Sequence, residues 1–145
     1  MNDASSVKLS VTRQFSATAE RVFDAFLDPA KAGKFMFATA TGTMVRVAID
    51  ARVGGSYAFV DRRDGEDVEH VGEYLEIQRP RRLVFTLQVP KYSQESSVIA
   101  IEITPRDSGC ELLLTQTLSQ QWADQLQRVE SGWRSILDHA ATIID

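Results

Sequence analysis

The C-terminal stretch, residues 119–145, constrains the fold more than any other part of the chain. Its apolar residues recur at steps of three and four, the period of one face of an α-helix, and the opposite face is polar. The apolar face consists of Trp122, Leu126, Val129, Trp133, Ile136, Leu137, Ala140 and Ile143. A helix of about 24 residues would be about 36 Å long. Because its apolar face is unstable in water, it must pack on another element.

The segments upstream of this helix read mostly as β-strands, because apolar residues alternate with polar ones. The strand segments are residues 7–11, 45–49, 57–60, 68–77, 83–89, 99–103 and 112–118. Two short helices are predicted between the first two strands. The first has Thr18 as its N-cap, and the second begins at Asp28 and Pro29 and ends near Gly33. Short connections predict an antiparallel sheet, which only the C-terminal helix is long enough to cover.

Bulk composition limits the class of protein and its partners. A length of 145 residues predicts a single domain, residues 1–145. The net charge of −4 and the lack of a basic run argue against nucleic-acid binding. No run approaches the roughly 18 apolar residues of a membrane span. A single cysteine and an N-terminus without a signal pattern predict a cytoplasmic protein.

Several segments of the chain, taken together, resemble a known family. They are Phe-Ser-Ala at 15–17, Val-Phe-Asp-Ala-Phe at 22–26, Asp-Ala-Arg-Val-Gly-Gly-Ser-Tyr at 50–57, Gly-Glu-Tyr-Leu-Glu-Ile at 72–77, Pro-Arg-Arg-Leu-Val-Phe-Thr at 80–86 and Gly-Trp at 132–133. The chain resembles the activator of heat-shock-protein-90 ATPase homologue-like family of the SRPBCC (START/birch-pollen-allergen-like) superfamily. The resemblance implies an α+β helix-grip fold. In it, a seven-stranded curved antiparallel sheet surrounds a long C-terminal helix, with two short helices between strands 1 and 2 and an elongated cavity.

The chain departs from the family pattern at two positions in the expected cavity wall. A tryptophan is common in the family near Phe35 and again just after Thr86, where this chain has Leu87. These departures predict a cavity shaped differently from that of its relatives. The family shares no single reaction, so the resemblance implies the fold more strongly than the function.

The expected function is non-catalytic binding of an apolar or aromatic small molecule in a cavity between the sheet and the C-terminal helix. The candidate ligand-binding residues are Phe35, Phe37, Phe59, Glu73, Tyr74, Phe85, Leu87, Trp122, Leu126, Val129 and Trp133. The cavity should open near Phe35, Phe37 and Trp122. A Phe85→Trp substitution should fill it.

Two alternatives stay open on the sequence alone. In the first, the protein is a small cyclase-like or hydrolase-like enzyme that uses Glu73 or Tyr74 as an acid or base. If Leu75 and Ile77 face inward, so does Glu73, but a bulge at Gly72 would turn Tyr74 inward instead. In the second, suggested by the family name, the protein is a partner of a chaperone ATPase.

Other motifs predict structural roles, and no metal or cofactor is expected. The only histidines, His70 and His139, lack the spacing of metal ligands, and Cys110 suits a packed thiol. The Gly-Gly pair at 54–55 precedes a strand and predicts a turn in place of a phosphate loop.

Two further expectations concern close packing. Gly132 lies beside Trp133 in the long helix, which predicts close approach of the sheet and greater damage from Gly132→Leu than from Gly65→Leu. An edge strand such as residues 7–11 is open to pairing with a second chain, which makes a homodimer compatible with the sequence.

Overall fold

A computed structural model of the chain describes residues 6–39 and 41–145 and has seven strands in one curved antiparallel sheet. The strands are β1 (Ser6–Phe15), β2 (Thr43–Ile49), β3 (Ser56–Arg63), β4 (Glu66–Gln78), β5 (Arg82–Leu87), β6 (Ser97–Arg106) and β7 (Gly109–Ser119). The α-helices are α1 (Ala19–Leu27), α2 (Pro29–Phe35) and α3 (Leu126–Ile144). The predicted α+β helix-grip fold is confirmed, including the two short helices between the first two strands. None of the described helices is long and apolar enough to cross a membrane.

The strand order in the sheet is β1-β7-β6-β5-β4-β3-β2, so β1 and β2 are its two edges. β2 to β7 follow one another as a meander, and β1 joins the far end by pairing with β7 over its whole length. The β3–β4 hairpin turns at Asp64 and Gly65, both with positive φ, as the Asp-Gly pair of a two-residue hairpin turn requires. Pairing of either edge with a second chain stays a prediction.

The starts of both short helices are those that the sequence predicts. The Thr18 hydroxyl oxygen accepts a hydrogen bond from the Arg21 amide at 3.2 Å. The Asp28 carboxylate accepts one from the Ala30 amide at 2.9 Å. Each cap satisfies an amide that has no partner inside the helix. α2 extends past the predicted end near Gly33, to Phe35.

The C-terminal helix is shorter than the sequence predicts. A 3₁₀ segment, Gln120–Gln125, precedes α3, so Trp122 does not belong to the α-helix. Apolar steps of three and four suit both helix types, because a 3₁₀-helix has three residues per turn and an α-helix 3.6. The expected single α-helix over residues 119–145 is therefore corrected to 19 α-helical residues after a 3₁₀ segment.

The buried face of α3 closes the core. Its buried residues are Trp133 in the first half of the helix and Leu137, Ala140, Ala141 and Ile144 in the second. The carboxylate of Asp145 accepts hydrogen bonds from the Ser16 and Ala17 amides at 3.2 and 3.1 Å. These bonds attach the end of the helix to the segment before α1.

A β-bulge decides which β4 side chains face the concave side. The pairing of β4 with β5 shifts between Tyr74 and Glu76, leaving Leu75 as the extra residue. Tyr74 is 3% exposed and faces inward, while Leu75 is 41% exposed. Glu73 is exposed as well, so of the two alternatives left open by the sequence, the structure has Tyr74 inward and Glu73 outward. The bulge lies at Leu75 and not at the predicted Gly72.

Candidate functional site

A cavity of about 390 Å³ lies between the concave face of the sheet and the first half of α3. We call it the central cavity. It is lined by Phe37, Arg63, His70, Leu87, Val89, Tyr92, Ser93, Glu95, Ser96, Ser97, Gln116, Leu118, Ser119, Trp122, Val129, Gly132, Trp133 and Ile136. Ligand sites in proteins typically measure about 300–1,000 Å³ and combine apolar walls with few polar groups. The central cavity has both properties.

A second cavity, of about 740 Å³, is also lined by Phe37 and is called the side cavity. Its further lining includes Phe35, Ala38, Thr39, Ser135 and His139. Both cavities are lined by Phe37, Arg63, His70, Gly132 and Ile136. These five residues form the boundary between the two cavities, so a group held there is accessible from both.

The predicted ligand-binding residues divide between several places. Phe37, Leu87, Trp122, Val129 and Trp133 line the central cavity, and Phe35 lines the side cavity. Leu126 packs against the hydrophobic core and does not line either cavity. The structure therefore brings together Trp122, Val129 and Trp133 of the C-terminal segment with Leu87 at the far end of β5.

Three other predicted residues, Phe59, Tyr74 and Phe85, belong to a separate packed region. Its members are Phe26, Met36, Tyr57, Phe59, Tyr74, Leu83 and Phe85. They enclose about 10 Å³, at the lower limit for a single water. Phe85 packs edge-to-face on Tyr57, with ring centroids 5.6 Å apart. Phe85→Trp therefore cannot fill the central cavity, which corrects the expectation from the sequence.

The two groups proposed as acid or base, Glu73 and Tyr74, both lie outside the central cavity. The exposed Glu73 borders a groove on the outer face of the sheet together with Thr86 and Gln88. Burial, and secondarily the negative charge of Asp50, raise the pKa of Tyr74 above its ordinary value. A phenol with a raised pKa stays protonated near neutral pH and is a poor base. The enzyme alternative therefore has neither of its two candidate groups at the cavity.

A buried hydrogen-bond network fixes one wall of the central cavity. The indole Nε1 of Trp133 donates to Oε1 of Gln116 at 2.7 Å, and Nε2 of Gln116 donates to the Ser97 hydroxyl at 2.8 Å. The bonds hold the indole ring against β7. Sequence reasoning missed Gln116, although its alternation with Leu114 and Leu118 places it on the inward face.

An ion pair lies at the boundary between the two cavities. Nε of Arg63 donates to Oδ2 of Asp61 at 2.8 Å, and Nη2 of Arg63 donates to the Phe37 carbonyl at 3.0 Å. Asp61 is 0% exposed and also accepts a hydrogen bond from the Thr39 hydroxyl at 2.9 Å. No sequence pattern separates this pair from the polar hairpin tip, in which Arg63 is predicted to lie.

Phe37 has an unusual backbone conformation at the same boundary. Its φ is 60°, in the left-handed region that non-glycine residues rarely adopt. Its ring stacks on His70, with centroids 4.4 Å apart and planes 8° from parallel. Such strain persists only where surrounding contacts hold it, and it concentrates at functional sites. The Arg63 bond, the His70 stack and edge-to-face contacts with Phe59 and Trp133 hold Phe37.

His70 is buried and uncharged at neutral pH. Burial, and secondarily the positive charge of Arg63, lower the pKa of His70 to about 4, although the carbonyl of Phe59 opposes the shift. Nδ1 of His70 lies 3.3 Å from that carbonyl oxygen. The sequence carried a signal here too, because His70 alternates with the buried Val68 on β4.

The other residues considered in the sequence analysis are possible metal ligands, Cys110 and Gly132. Within residues 6–39 and 41–145, no group of three His, Cys, Asp or Glu side chains could hold a metal ion. Cys110 is buried, and burial raises the pKa of its thiol. A Cβ added to Gly132 would meet no atom within 4 Å, so the predicted close approach of the sheet at Gly132 is wrong.

Comparison with known proteins gives a family and a set of similar structures. Residues 16–144 match the family model described as activator of Hsp90 ATPase homolog 1-like protein. The fold is similar to that of CV1439 from Chromobacterium violaceum, with 26% identity and a TM-score of 0.85 over 94% of this chain and 96% of that one. A comparison with curated protein sequences found no match.

Two more distant structures show the same fold. SA2116 from Staphylococcus aureus is 18% identical with a TM-score of 0.85, over 96% of this chain and 93% of that one. The AHSA1-like protein from Aeromonas hydrophila is 17% identical with a TM-score of 0.82, over 95% of this chain and 92% of that one. The helix-grip architecture is thus shared by proteins of widely different sequence.

Proposed function

This chain belongs to the family of activator of Hsp90 ATPase homolog 1-like proteins, and we propose that it binds an apolar or aromatic small molecule in the central cavity. The observation that carries the proposal is the space of about 390 Å³ bounded by Leu87, Trp122, Val129 and Trp133. An apolar ligand there would remove its own surface and that of the walls from water, which is favourable by about 25 cal/mol per Å².

The rigidity of the cavity wall supports binding. Gln116 holds the Trp133 ring, and the His70 stack with the Arg63 bond holds Phe37. Side chains that are already held in place lose little conformational freedom when a ligand enters, so the entropic cost of binding is smaller. The residues around an unfilled space also lack packing contacts, which lowers the stability of the fold. A ligand would supply these contacts.

The entrance to the central cavity is formed by the loop between β5 and β6. Tyr92 on this loop lines the cavity and is 62% exposed. Glu95 accepts a hydrogen bond from Nε2 of Gln121 at 2.8 Å, which joins the loop to the 3₁₀ segment. Opening this contact would widen the entrance without moving the sheet.

The lining favours binding over catalysis. Among the described residues that line the central cavity, Glu95 is the only carboxylate, and its partner is Gln121 at the rim. His70, with a pKa of about 4, is a weak base at neutral pH. The chaperone-partner alternative rests on the family name and stays a prediction.

Binding can be tested with N-phenyl-1-naphthylamine, a neutral fluorophore that brightens in apolar sites. We expect saturable fluorescence and a rise in melting temperature, since a ligand at a hundredfold excess over its Kd stabilises the fold by about 2.7 kcal/mol. Val129→Trp should fill the cavity and abolish both effects. Native mass spectrometry of protein purified from its own host would then identify a co-purifying molecule.

The matched control for this experiment is Leu113→Trp, on the exposed side of β7. It adds the same indole outside the cavity and should leave the fluorophore's affinity unchanged. The proposal fails if the fluorophore does not saturate, or if Val129→Trp and Leu113→Trp bind it equally well.

A further inference from the structure

We propose that the ligand of the central cavity carries a carboxylate on its apolar body, and that Arg63 binds this carboxylate at the boundary between the two cavities. The inference rests on the proposed function and names the chemical class of the ligand.

The hydrogen bonds of Arg63 leave one end of its guanidinium available. Nε is bonded to Asp61 and Nη2 to the Phe37 carbonyl, while Nη1 makes no hydrogen bond within the part of the chain that the structure describes. The side chain is 30% exposed and lines both cavities. A guanidinium has five N–H donors in a fixed plane, so the two on Nη1 remain for an acceptor from the ligand.

Arg63 is also held in position before any ligand arrives. The buried carboxylate of Asp61 is itself fixed by a hydrogen bond from the Thr39 hydroxyl. An arginine on the open surface loses rotamer freedom when it binds an anion, whereas Arg63 has lost part of that freedom already. The ion pair thus prepares the guanidinium for a partner on its other end.

The charges around Arg63 leave its guanidinium facing the cavities. Asp61 is 0% exposed and lies behind Arg63, so the pair is neutral overall but directs its positive end toward the cavities. The one carboxylate among the described lining of the central cavity, Glu95, is bonded to Gln121. Within that lining, Arg63 is the only side chain with a permanent positive charge.

A ligand that displaces water from Arg63 must supply a hydrogen-bond acceptor in its place. A ligand that fills the central cavity as far as Phe37 displaces the water around Nη1, and a charged donor left without a partner is strongly unfavourable. A carboxylate restores the lost bonds as charge-assisted ones, which are stronger beside apolar walls than in water. A purely apolar molecule of the same shape has no group that can do so.

The inference is tested with two isosteres, naphthalene-2-carboxylate and naphthalene-2-carboxamide, which displace N-phenyl-1-naphthylamine. In the wild-type chain near neutral pH we expect the carboxylate to bind about tenfold more tightly or better. In the double variant Asp61→Asn/Arg63→Met, which leaves no unpaired buried charge, the ratio of the two isosteres' affinities should fall to about one. The ratio is the readout, because losing the Arg63 bond to Phe37 affects the cavity wall for both isosteres alike.

A matched control is the neighbouring exposed ion pair, Arg62 with Asp67. Asp67→Asn/Arg62→Met removes the same two charges away from the cavity and should keep the wild-type preference. If the Arg63 double variant does not fold, arginine side-chain NMR of isotope-labelled wild-type protein replaces it. The Arg63 signal should then shift with the carboxylate and stay in place with the carboxamide.

The two proposals fail in different ways. Equal affinity for the two isosteres, a preference that persists in the Arg63 double variant, or an Arg63 signal that does not respond overturns the carboxylate inference alone. Absence of binding for the fluorophore and both isosteres overturns the proposed function and this inference together.

Discussion

The concave face of the sheet has two aromatic-rich regions that are filled very differently. The packed region around Tyr57 and Phe85 encloses about 10 Å³, whereas the central cavity beside Trp122 and Trp133 holds about 390 Å³. Phe26 of α1 and Met36, just after α2, take part in the packed region. The central cavity, which Phe37 also lines, is covered by the loop before β6, the 3₁₀ segment and the start of α3. Aromatic residues alone therefore do not make a cavity; what decides is whether side chains from other elements fill the space beside them.

The two regions also differ in where a glycine leaves space and where a ring occupies it. In the central cavity, α3 contributes Gly132, which has no side chain, and Trp133, whose ring Gln116 holds against β7. In the packed region, the Tyr57 hydroxyl donates to the Thr86 carbonyl at 2.6 Å, and the ring covers Gly72. Gly72 is needed there, since an added Cβ would lie 1.9 Å from the Thr86 carbonyl oxygen.

The largest expected effect compares two leucines of the same strand. Leu83 lines the packed region and is 1% exposed, whereas Leu87 is half-buried and lines the central cavity. Leu83→Ala should lower the free energy of unfolding by about 2–5 kcal/mol, as in a tightly packed core. Leu87→Ala should cost less than about 2 kcal/mol, because it enlarges a space that already exists. Urea denaturation of both variants measures the difference, and equal losses would remove the contrast.

The second expected effect tests the boundary between the two cavities with acid. The pKa of His70 is lowered to about 4 in the folded state, against about 6.5 when unfolded. Between these values the unfolded chain binds a proton that the folded chain does not, so stability falls as pH drops from about 6.5 to 4. The loss attributable to His70 is up to about 3 kcal/mol.

His70→Phe isolates the contribution of His70 to the pH dependence, because it keeps a ring against Phe37 and removes the titrating group. Its unfolding free energy should fall less steeply than that of the wild type between pH 6.5 and 4. Parallel profiles for wild type and His70→Phe would show that the buried histidine does not carry the effect.

The third comparison adds volume to each region. Phe85→Trp should destabilise the fold by about 1–3 kcal/mol, because overpacking a filled core forces side chains out of their preferred rotamers. Val129→Trp should change stability by less than about 1 kcal/mol, since the indole has space to enter. Thermal unfolding of both variants distinguishes the two. A larger loss in Val129→Trp would mean that the central cavity is not open to occupation.

The smallest expected effect concerns two glycines. Gly132→Ala should raise the free energy of unfolding by about 0.5–1 kcal/mol, because Gly132 is exposed in a helix and an added Cβ meets nothing within 4 Å. Gly65→Ala should lower it, because the φ of Gly65 is +80°, which disfavours a side chain. This order reverses the expectation from the sequence, and two urea titrations settle it.

Much of the fold follows from local sequence. Apolar alternation gives the seven strands, Thr18 and Asp28 start the two short helices, and Asp64 with Gly65 turns a hairpin. Of the candidate site, the wall residues of the C-terminal segment and Leu87 were predictable, because periodicity assigns them to one face. Gln116 and His70 could have been found from the same alternation, as polar residues among buried neighbours.

The tertiary structure alone decided which inward residues surround space. Phe59 and Phe85 face the concave side as the alternation predicts, yet side chains from α1 and from just beyond α2, distant in sequence, fill the space around them. A single extra residue at Leu75 reversed the facing of β4, and such a bulge depends on pairing with β5. Periodicity is a property of neighbouring residues, whereas a cavity is the volume left over when distant elements pack together. The sequence could therefore determine the faces of the elements but not the space between them.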